Sequence, residues 1–218
     1  GLMSITGPDA EPPTKVGSSI ADILAGMCTC IGILAALNHR ARTGEGQMVD
    51  VGMLDCMVAI LENAVARWAA TGTSPKPIGN RHPSITPFCT LRTADGQMTL
   101  ACGNDELWKR YCKAVGLAEL AEDPRFRTNA DRGAHWAELE PLLNDAMAKR
   151  TTKEWLETLQ AIDVPCGPIN SIADVVVDPH VLARQMLVEV VHPVAGAMKL
   201  PGVPTKFSAS PAEVRGPA

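Results

Sequence analysis

Residues 16–37 read VGSSIADILAGMCTCIGILAAL, and this stretch decides how the rest of the chain is organised. It opens with a serine pair and continues as an apolar run that is interrupted by a single acid, Asp22. A run of this kind predicts a helix that is buried on most of its sides. Only about 15 consecutive residues lack a charge, whereas a membrane span needs roughly 18 or more. We therefore expect the core helix of a soluble protein, with one carboxyl group near its start.

Asp22 has two interpretations. The first is structural, because Ser19 and Asp22 have the three-residue spacing of a capping box ahead of an apolar run. The second is catalytic, because the free N–H groups and the dipole at a helix N-terminus favour the ionised carboxylate that attacks an acyl group. The two interpretations are compatible, since the same N–H groups can hold first a carboxylate and then an oxyanion.

The composition narrows the function classes. The 218 residues carry a net charge of −4 and no dense cluster of Lys and Arg, which argues against nucleic-acid binding. Seven cysteines, mostly in apolar surroundings, favour free thiols in a reducing compartment, so we expect a cytoplasmic protein. Cys28 and Cys30 do not have a zinc-binding spacing and no His cluster accompanies them, so we expect no metal. Residues 1–15 lack a basic region ahead of an apolar one, so we expect no signal peptide.

The pattern outward from the central helix predicts an α/β protein. The central helix is expected over 19–41, after a loop rich in turn formers at 1–15. The tripeptide Ala-Asp-Gly at 94–96 lies between two apolar runs and predicts a hairpin of strands 88–92 and 98–102. The other expected elements are a strand over 47–51, helices over 53–70, 104–115, 132–149, 153–162 and 171–177, a rigid turn over 164–168, and strands over 186–192 and 197–200.

Residues 16–56 resemble the central segment of the family III CoA-transferases, which include formyl-CoA transferase, carnitine CoA-transferase and alpha-methylacyl-CoA racemase. The shared pattern is an acid followed by eight residues, then IGILAAL, a basic stretch, TGEGQ, a short strand and LD. The resemblance continues through GNRHP at 79–83, TADGQMTLACGND at 93–105, DPRFRTN at 123–129 and VPCGPIN at 164–170. It covers essentially the whole chain, while the chain covers about half of such a protein.

The resemblance implies a fold and a domain plan. We expect an interlocked homodimer in which a nucleotide-binding-like large domain is combined with a small α/β domain. Residues 1–76 would be a fragment of the large domain, 77–185 the small domain, and 186–218 a segment that returns to the large domain. The resemblance also implies a missing N-terminal half of the same protein, which would supply most of the CoA-binding surface.

The resemblance further implies a site. In the transferases the acid at the position of Asp22 is the nucleophile, which exchanges CoA between an acyl-CoA and a small carboxylic acid through an aspartyl anhydride and an aspartyl-CoA thioester. Coenzyme A is then a substrate, and no cofactor or metal is needed. The glycine-rich loop that covers the site in formyl-CoA transferase is missing here. The nearest candidates for it are Gly79, Asn80, Arg81 and His82, in which Gly79 could bend and the other three could hold an acyl oxygen or a carboxylate.

Two alternatives stay open. One is an alpha-methylacyl-CoA racemase, in which Asp22 would transfer a proton. The racemases resemble one another in a glycine-rich run after this acid, whereas here Ile23-Leu24-Ala25-Gly26 follows it, which favours a transferase. The other is an inactive fragment that acts only in dimer assembly. Exposed apolar faces on the two N-terminal helices would be typical of that role.

Overall fold

The structure is a computed structural model that describes residues 1–9 and 11–216. The chain divides into two units, Gly1–Cys166 and Gly167–Ala218. The first unit holds the long N-terminal helix and the small α/β layer, and the second holds a two-stranded sheet with two short helices. The mixed α/β class expected from the sequence is confirmed, and the finer domain plan of 1–76, 77–185 and 186–218 stays a prediction.

Helix α1 (Ile20–Thr43) follows the long apolar run as predicted, and Gly44 ends it in a left-handed conformation with φ 81°. The N–H of Gly44 donates to the Arg40 carbonyl over 2.8 Å. The predicted capping box at its start is wrong, because the Ser19 side chain makes no capping hydrogen bond. Ser19 has φ −75° and ψ 62°, away from the extended conformation that directs a capping oxygen at the first-turn N–H groups.

The surface of α1 is open in this chain. No residue of α1 is buried within the described part of the protein, so the expectation of a helix buried on most sides is wrong. The helix α2 (Met53–Ala59) packs against α1, but it has seven residues and covers a fraction of a 24-residue helix. Large apolar side chains are therefore left half-exposed or more, among them Ile23, Met27, Ile31 and Leu34.

By length and composition, α1 could also cross a membrane. Its most apolar window has a mean hydropathy of 2.1, and it is the one helix among residues 1–9 and 11–216 that satisfies this test. A core helix of a soluble protein and a signal sequence satisfy it equally well, so the result is weak evidence. The uncharged run in the sequence is too short for a membrane span, but α1 has 24 residues, so its length no longer argues against a span.

The second predicted helix is two helices. α2 ends before Ile60, and α3 (Glu62–Thr71) begins after Leu61, whose N–H donates to the Val58 carbonyl over 3.0 Å. This tight turn contains no Gly or Pro, which is why the periodic pattern continued through it. The strand expected over 47–51 does not form, because no neighbouring strand pairs with it in the described chain and an isolated strand has no ladder of hydrogen bonds.

The small α/β layer is built on the predicted hairpin. Strands β1 (Phe88–Arg92) and β2 (Gln97–Ala101) pair antiparallel, with β2 beginning one residue earlier than expected, and β3 (Cys166–Pro168) forms where a rigid turn was expected. The predicted helix over 132–149 is interrupted at His135, whose φ of −105° and ψ of 26° are not helical. The helices of this layer are α4 (Asp105–Val115), α5 (Asn129–Ala134), α6 (Trp136–Met147) and α7 (Thr152–Gln160), with a 3-10 turn at Ala118–Ala121.

The core of the first unit lies between this sheet and its helices. Its fully buried side chains include Leu91, Met98, Leu100, Trp108, Tyr111, Phe126, Leu139, Leu143 and Met147. The inward positions of β1 and β2 alternate with exposed ones, as the period of a half-buried strand requires. The helix starts are fixed by side-chain caps from Asn104, Thr128 and Thr151. The layer therefore gives the loop before β1 a rigid support.

The second unit contains helices α8 (Ile172–Val175) and α9 (Pro179–Ala183) and the strands β4 (Leu187–His192) and β5 (Gly196–Pro201). The predicted strand pair is confirmed, and Glu189 lies opposite Lys199 in its register. The helix expected over 171–177 is shorter than predicted, because its chain turns at Val176 before Asp178 caps α9.

Candidate functional site

Asp22 lies in the first turn of α1, at the edge of a small pocket of about 210 Å³. The chain reaches this point through the loop that precedes Ser19, and the pocket is also lined by Leu2 and Met3 of the first 3-10 turn (Leu2–Ile5) and by Met57 of α2. The pocket therefore combines one carboxylate, one lysine and two serines with otherwise apolar walls. Its lining residues are Leu2, Met3, Lys15, Val16, Ser18, Ser19, Ile20, Ala21, Asp22 and Met57.

The carboxylate of Asp22 is exposed, and it forms no ion pair or side-chain hydrogen bond among residues 1–9 and 11–216. The N–H groups of Ala21 and Asp22 also have no backbone acceptor in this part of the protein, whereas those of Ile20 and Ile23 donate to Ser18 and Ser19. A carboxylate with free lone pairs beside free N–H groups has what an acyl transfer needs at its reacting centre. The start of α1 is open to water in this chain, contrary to the burial on most sides that the sequence predicts for this helix.

The loop 78–83 lies elsewhere in the first unit. Gly79 has φ 67°, a left-handed conformation that favours glycine, and its N–H donates to the Gly7 carbonyl over 3.0 Å. The Arg81 guanidinium donates to the Ile78 carbonyl over 3.2 Å and lies 3.6 Å from an Asp9 carboxylate oxygen. It also lies over the Trp136 ring, 5.6 Å from the ring centre. Arg81 is thus held by partners of its own chain, while Asn80 beside it is exposed.

His82 has a structural position in this loop. Its Nδ1 accepts hydrogen bonds from the N–H groups of Ser84 and Ile85 over 3.2 and 3.0 Å, and its ring stacks on Phe88 with the ring centres 5.3 Å apart. The backbone N–H of His82 donates to the Phe88 carbonyl over 2.8 Å. An Nδ1 that accepts two N–H groups leaves Nε2 as the site of the proton in the neutral ring. The side chain therefore shapes the turn that leads into β1.

Gly79, Asn80 and Arg81 border a larger cavity of about 820 Å³ between β1 and α6, and His82 is not part of its lining. This cavity contains opposite charges, since Arg92 and Glu140 face it together with Arg81 and Asp9. The Cys89 thiol at its border is buried, and burial raises the pKa of Cys89 to about 12, so the thiol is protonated at neutral pH. The remaining lining residues are Pro8, Ile78, Thr90, Gln97, Gly133, Ala134, Trp136, Ala137, Pro141 and Asn144.

The structure thus places Gly79, Asn80 and Arg81 around one cavity, His82 outside its lining, and Asp22 in a separate pocket. The roles of Asp22, Gly79, Asn80, Arg81 and His82 remain predictions. Sequence reasoning missed Lys15, which shares the pocket of Asp22. The signal available for it was its place seven residues before the acid, just ahead of the loop that enters α1. No group of three or more His, Cys, Asp or Glu side chains suited to a metal occurs in the described ranges 1–9 and 11–216.

The geometry defines the class of protein as a mixed α/β chain with a carboxylate at the start of a long apolar helix. The profile of CoA-transferase family III matches residues 1–218, so the chain belongs to that family. The expectation drawn from the sequence motifs is thereby confirmed.

Named relatives and solved structures agree with this family. The chain is 40% identical over 209 residues to an acetyl-CoA:oxalate CoA-transferase of Acetobacter aceti, which covers 95% of this chain and 52% of the relative. It is 37% identical to a succinate–glutarate CoA-transferase of Agrobacterium fabrum, over 99% of this chain and 53% of the relative. A CAIB/BAIF family protein from Brucella suis superposes with a TM-score of 0.81 at 39% identity, covering 100% of this chain and 57% of the other. The chain spans about half the length of the curated relatives it matches.

Proposed function

We propose that this chain carries the nucleophile of an enzyme that moves CoA from an acyl-CoA to a small dicarboxylic acid. Similar proteins bear the names of CoA-transferases for oxalate, glutarate, citramalate and mesaconate, which supports a dicarboxylic acid as a substrate. The observation that carries the proposal is the unpaired carboxylate of Asp22 in the first turn of α1, beside the free N–H groups of Ala21 and Asp22.

The proposed reaction begins when a carboxylate oxygen of Asp22 attacks the thioester carbon of the donor. The carbon–sulfur bond breaks, CoA thiolate leaves, and a mixed anhydride with Asp22 remains. The thiolate then attacks the Asp22 carbonyl carbon of the anhydride, which releases the donor acid as a carboxylate and leaves an aspartyl-CoA thioester. An acceptor carboxylate repeats the two steps in reverse order, so that acceptor-CoA forms and the Asp22 carboxylate is restored. The exchange needs no further acid or base, because each leaving group is a stabilised anion.

Both intermediates are hydrolysed if water reaches them, so the reaction needs a cover over Asp22. Asp22 is exposed in this chain, and we propose that the cover comes from the missing N-terminal half and from the partner subunit of an interlocked homodimer. The exposed apolar side chains of α1 support this proposal, because an apolar face of that size is typical of a surface that another chain segment covers. The exposed Gly79–Asn80 corner borders a different cavity in this chain, so we propose it as a cover of Asp22 only in the assembled dimer.

The test replaces Asp22 by Asn in the full-length protein, with Asp55→Asn as the matched control. Asp55 is the acid in the first turn of α2, so the control removes a carboxylate of the same kind from a neighbouring helix start. We expect a loss of transfer of roughly 10⁴-fold for Asp22→Asn, since covalent nucleophiles contribute factors of that order. Asp55→Asn should retain most of the activity. Normal transfer in Asp22→Asn would show that Asp22 is not the nucleophile.

A trapping experiment separates a transferase from a racemase. Hydroxylamine added with acyl-CoA should convert Asp22 into a hydroxamate, which mass spectrometry locates. A racemase would leave Asp22 unmodified and would instead exchange the α-proton of the acyl group with deuterium from the solvent.

The isolated 218-residue chain is expected to bind CoA weakly and to show no turnover, which calorimetry and a transfer assay measure. Robust turnover by that chain would contradict the proposed need for the N-terminal half.

A further inference from the structure

The pocket at Asp22 has the size of a small acyl group. Its volume is about 210 Å³, below the roughly 300–1,000 Å³ of pockets that hold drug-sized ligands. A CoA molecule is too large for it, whereas a chain of four or five carbons fits such a volume. The walls suit such a chain, because Met3, Val16 and Met57 offer methyl and methylene surface to its carbons.

Lys15 is the one cation among the residues that line this pocket, and Asp22 is the one anion. Neither takes part in an ion pair within the described ranges 1–9 and 11–216, so the Lys15 ammonium and the Asp22 carboxylate lie more than 4.0 Å apart. The two oppositely charged residues, both exposed in this chain, therefore line the same small pocket without forming an ion pair. A molecule with a reactive carbonyl at one end and a negative charge at the other would meet a partner at both ends.

A dicarboxylic acyl group is such a molecule. Once one of its carboxyl groups is bonded to Asp22, its distal carboxylate remains negative and needs a cation when it is removed from bulk water. An ammonium group that donates to a carboxylate forms one of the strong, charge-assisted hydrogen bonds of proteins. A monocarboxylic acyl group of the same length would leave Lys15 without a partner, and a site discriminates against an analogue that leaves its polar group unpaired.

We propose that Lys15 binds the distal carboxylate of a dicarboxylic acyl group that is attached to Asp22, and that it thereby selects dicarboxylic over monocarboxylic substrates. The proposal rests on the proposed function, because it takes Asp22 as the attachment point. Lys15 acts on specificity, and the acyl exchange itself remains with Asp22.

The experiment compares two acceptors that differ in one carboxylate, succinate and butyrate, in the full-length protein. The quantity measured is the ratio of kcat/KM for succinate to kcat/KM for butyrate, and the ratio of the inhibition constants of the two acids takes its place if turnover with butyrate is slow. We expect Lys15→Met to lower this ratio by about 10- to 100-fold, as expected for the loss of one charge-assisted hydrogen bond. Lys15→Arg should keep the ratio within about 3-fold, since it keeps the charge. Lys109→Met, which removes an exposed lysine of α4, is the matched control and should not change it.

A charge reversal sharpens the test. Lys15→Glu should prefer 4-aminobutyrate, which carries an ammonium group at its distal end, over succinate. An equal loss for succinate and butyrate in Lys15→Met would assign Lys15 a structural role and overturn the proposal, as would an unchanged ratio. Hydroxylamine trapping at Asp22 is measured in the same samples. If no hydroxamate forms in the wild-type protein, the proposed function fails; if it forms and the ratio is unchanged, the role of Lys15 alone fails.

Discussion

Replacing Arg132 by Met should destabilise the small α/β layer and loosen the loop 78–83 together. The Arg132 side chain is fully buried, and its guanidinium donates to the carbonyls of Thr86 over 2.6 Å, Phe126 over 3.1 Å and Arg127 over 3.2 Å. It also donates to the Asp105 carboxylate over 2.7 Å. Thr86 lies in the segment between the loop 78–83 and β1, so Arg132 fixes the point from which the loop projects.

The size of the effect follows from what each partner loses. The Asp105 side chain is 49% exposed, so water can replace Arg132 there and the loss is small. The carbonyls of Thr86, Phe126 and Arg127 would lose donors in buried or half-buried surroundings, and each unsatisfied buried group costs about 1–3 kcal/mol. Met retains most of the side-chain volume, so little cavity forms. We expect a loss of about 3–5 kcal/mol, near the lower end of the sum for three such carbonyls, because two of them are only partly buried.

Amide hydrogen exchange of the full-length protein measures this loss locally. Protection should fall in β1, β2 and α4 and in the segment 78–87, while β4 and β5 of the second unit keep theirs. Arg127→Met is the matched control, because Arg127 is an exposed arginine of the same segment, and surface substitutions usually change stability by less than about 0.5 kcal/mol. A loss below about 1 kcal/mol in Arg132→Met would refute the reasoning from unsatisfied carbonyls.

Two further predictions concern the loop and the thiols. Gly79→Ala should cost about 1–2 kcal/mol of unfolding free energy, because the φ of Gly79 is 67° and an alanine is strained there. Gly103→Ala is the control: at both positions a Cβ would meet no atom within 4 Å, but Gly103 has no positive φ, so its substitution should cost less in urea unfolding. Burial raises the pKa of Cys89 and of Cys102 to about 12, so at pH 8 iodoacetamide should label the exposed Cys30 ahead of both. Above pH 9 each buried thiol should lower the unfolding free energy by about 1.4 kcal/mol per pH unit, because only the unfolded thiol ionises. A Cys89→Ala variant whose stability has the same pH dependence as that of the wild-type protein would contradict this.

The sequence predicted the elements whose signals are local. The hairpin of β1 and β2 follows from the turn at 94–96 and the alternation around it, and α4 begins at Asn104, where the helix over 104–115 was expected to start. The turn at Ile60 was missed because it contains neither Gly nor Pro. The exposure of α1 was missed for a different reason: hydrophobic periodicity indicates which face needs a cover, and it contains no information on whether the cover belongs to the same stretch of chain.

The candidate site was predictable to a smaller degree. The apolar run after Asp22 correctly predicted that Asp22 lies at the start of α1. The predicted capping by Ser19 was wrong, because sequence spacing does not reveal the backbone conformation that Ser19 adopts. His82 stood in a conspicuous motif, yet its Nδ1 accepts two N–H groups of its own turn. Lys15 could be identified as a candidate only from the structure, in which it lines the same pocket as Asp22. Contacts made by side chains across a loop are the part that one-dimensional spacing leaves out.

The open side of α1 has a practical consequence for work with these 218 residues alone. Molecules that present several adjacent apolar side chains to water associate with one another on heating before they unfold cleanly. A melting temperature recorded on the isolated chain would then depend on the heating rate and on the protein concentration. Co-expression with the proposed N-terminal half, or mild detergent during purification, should remove that dependence.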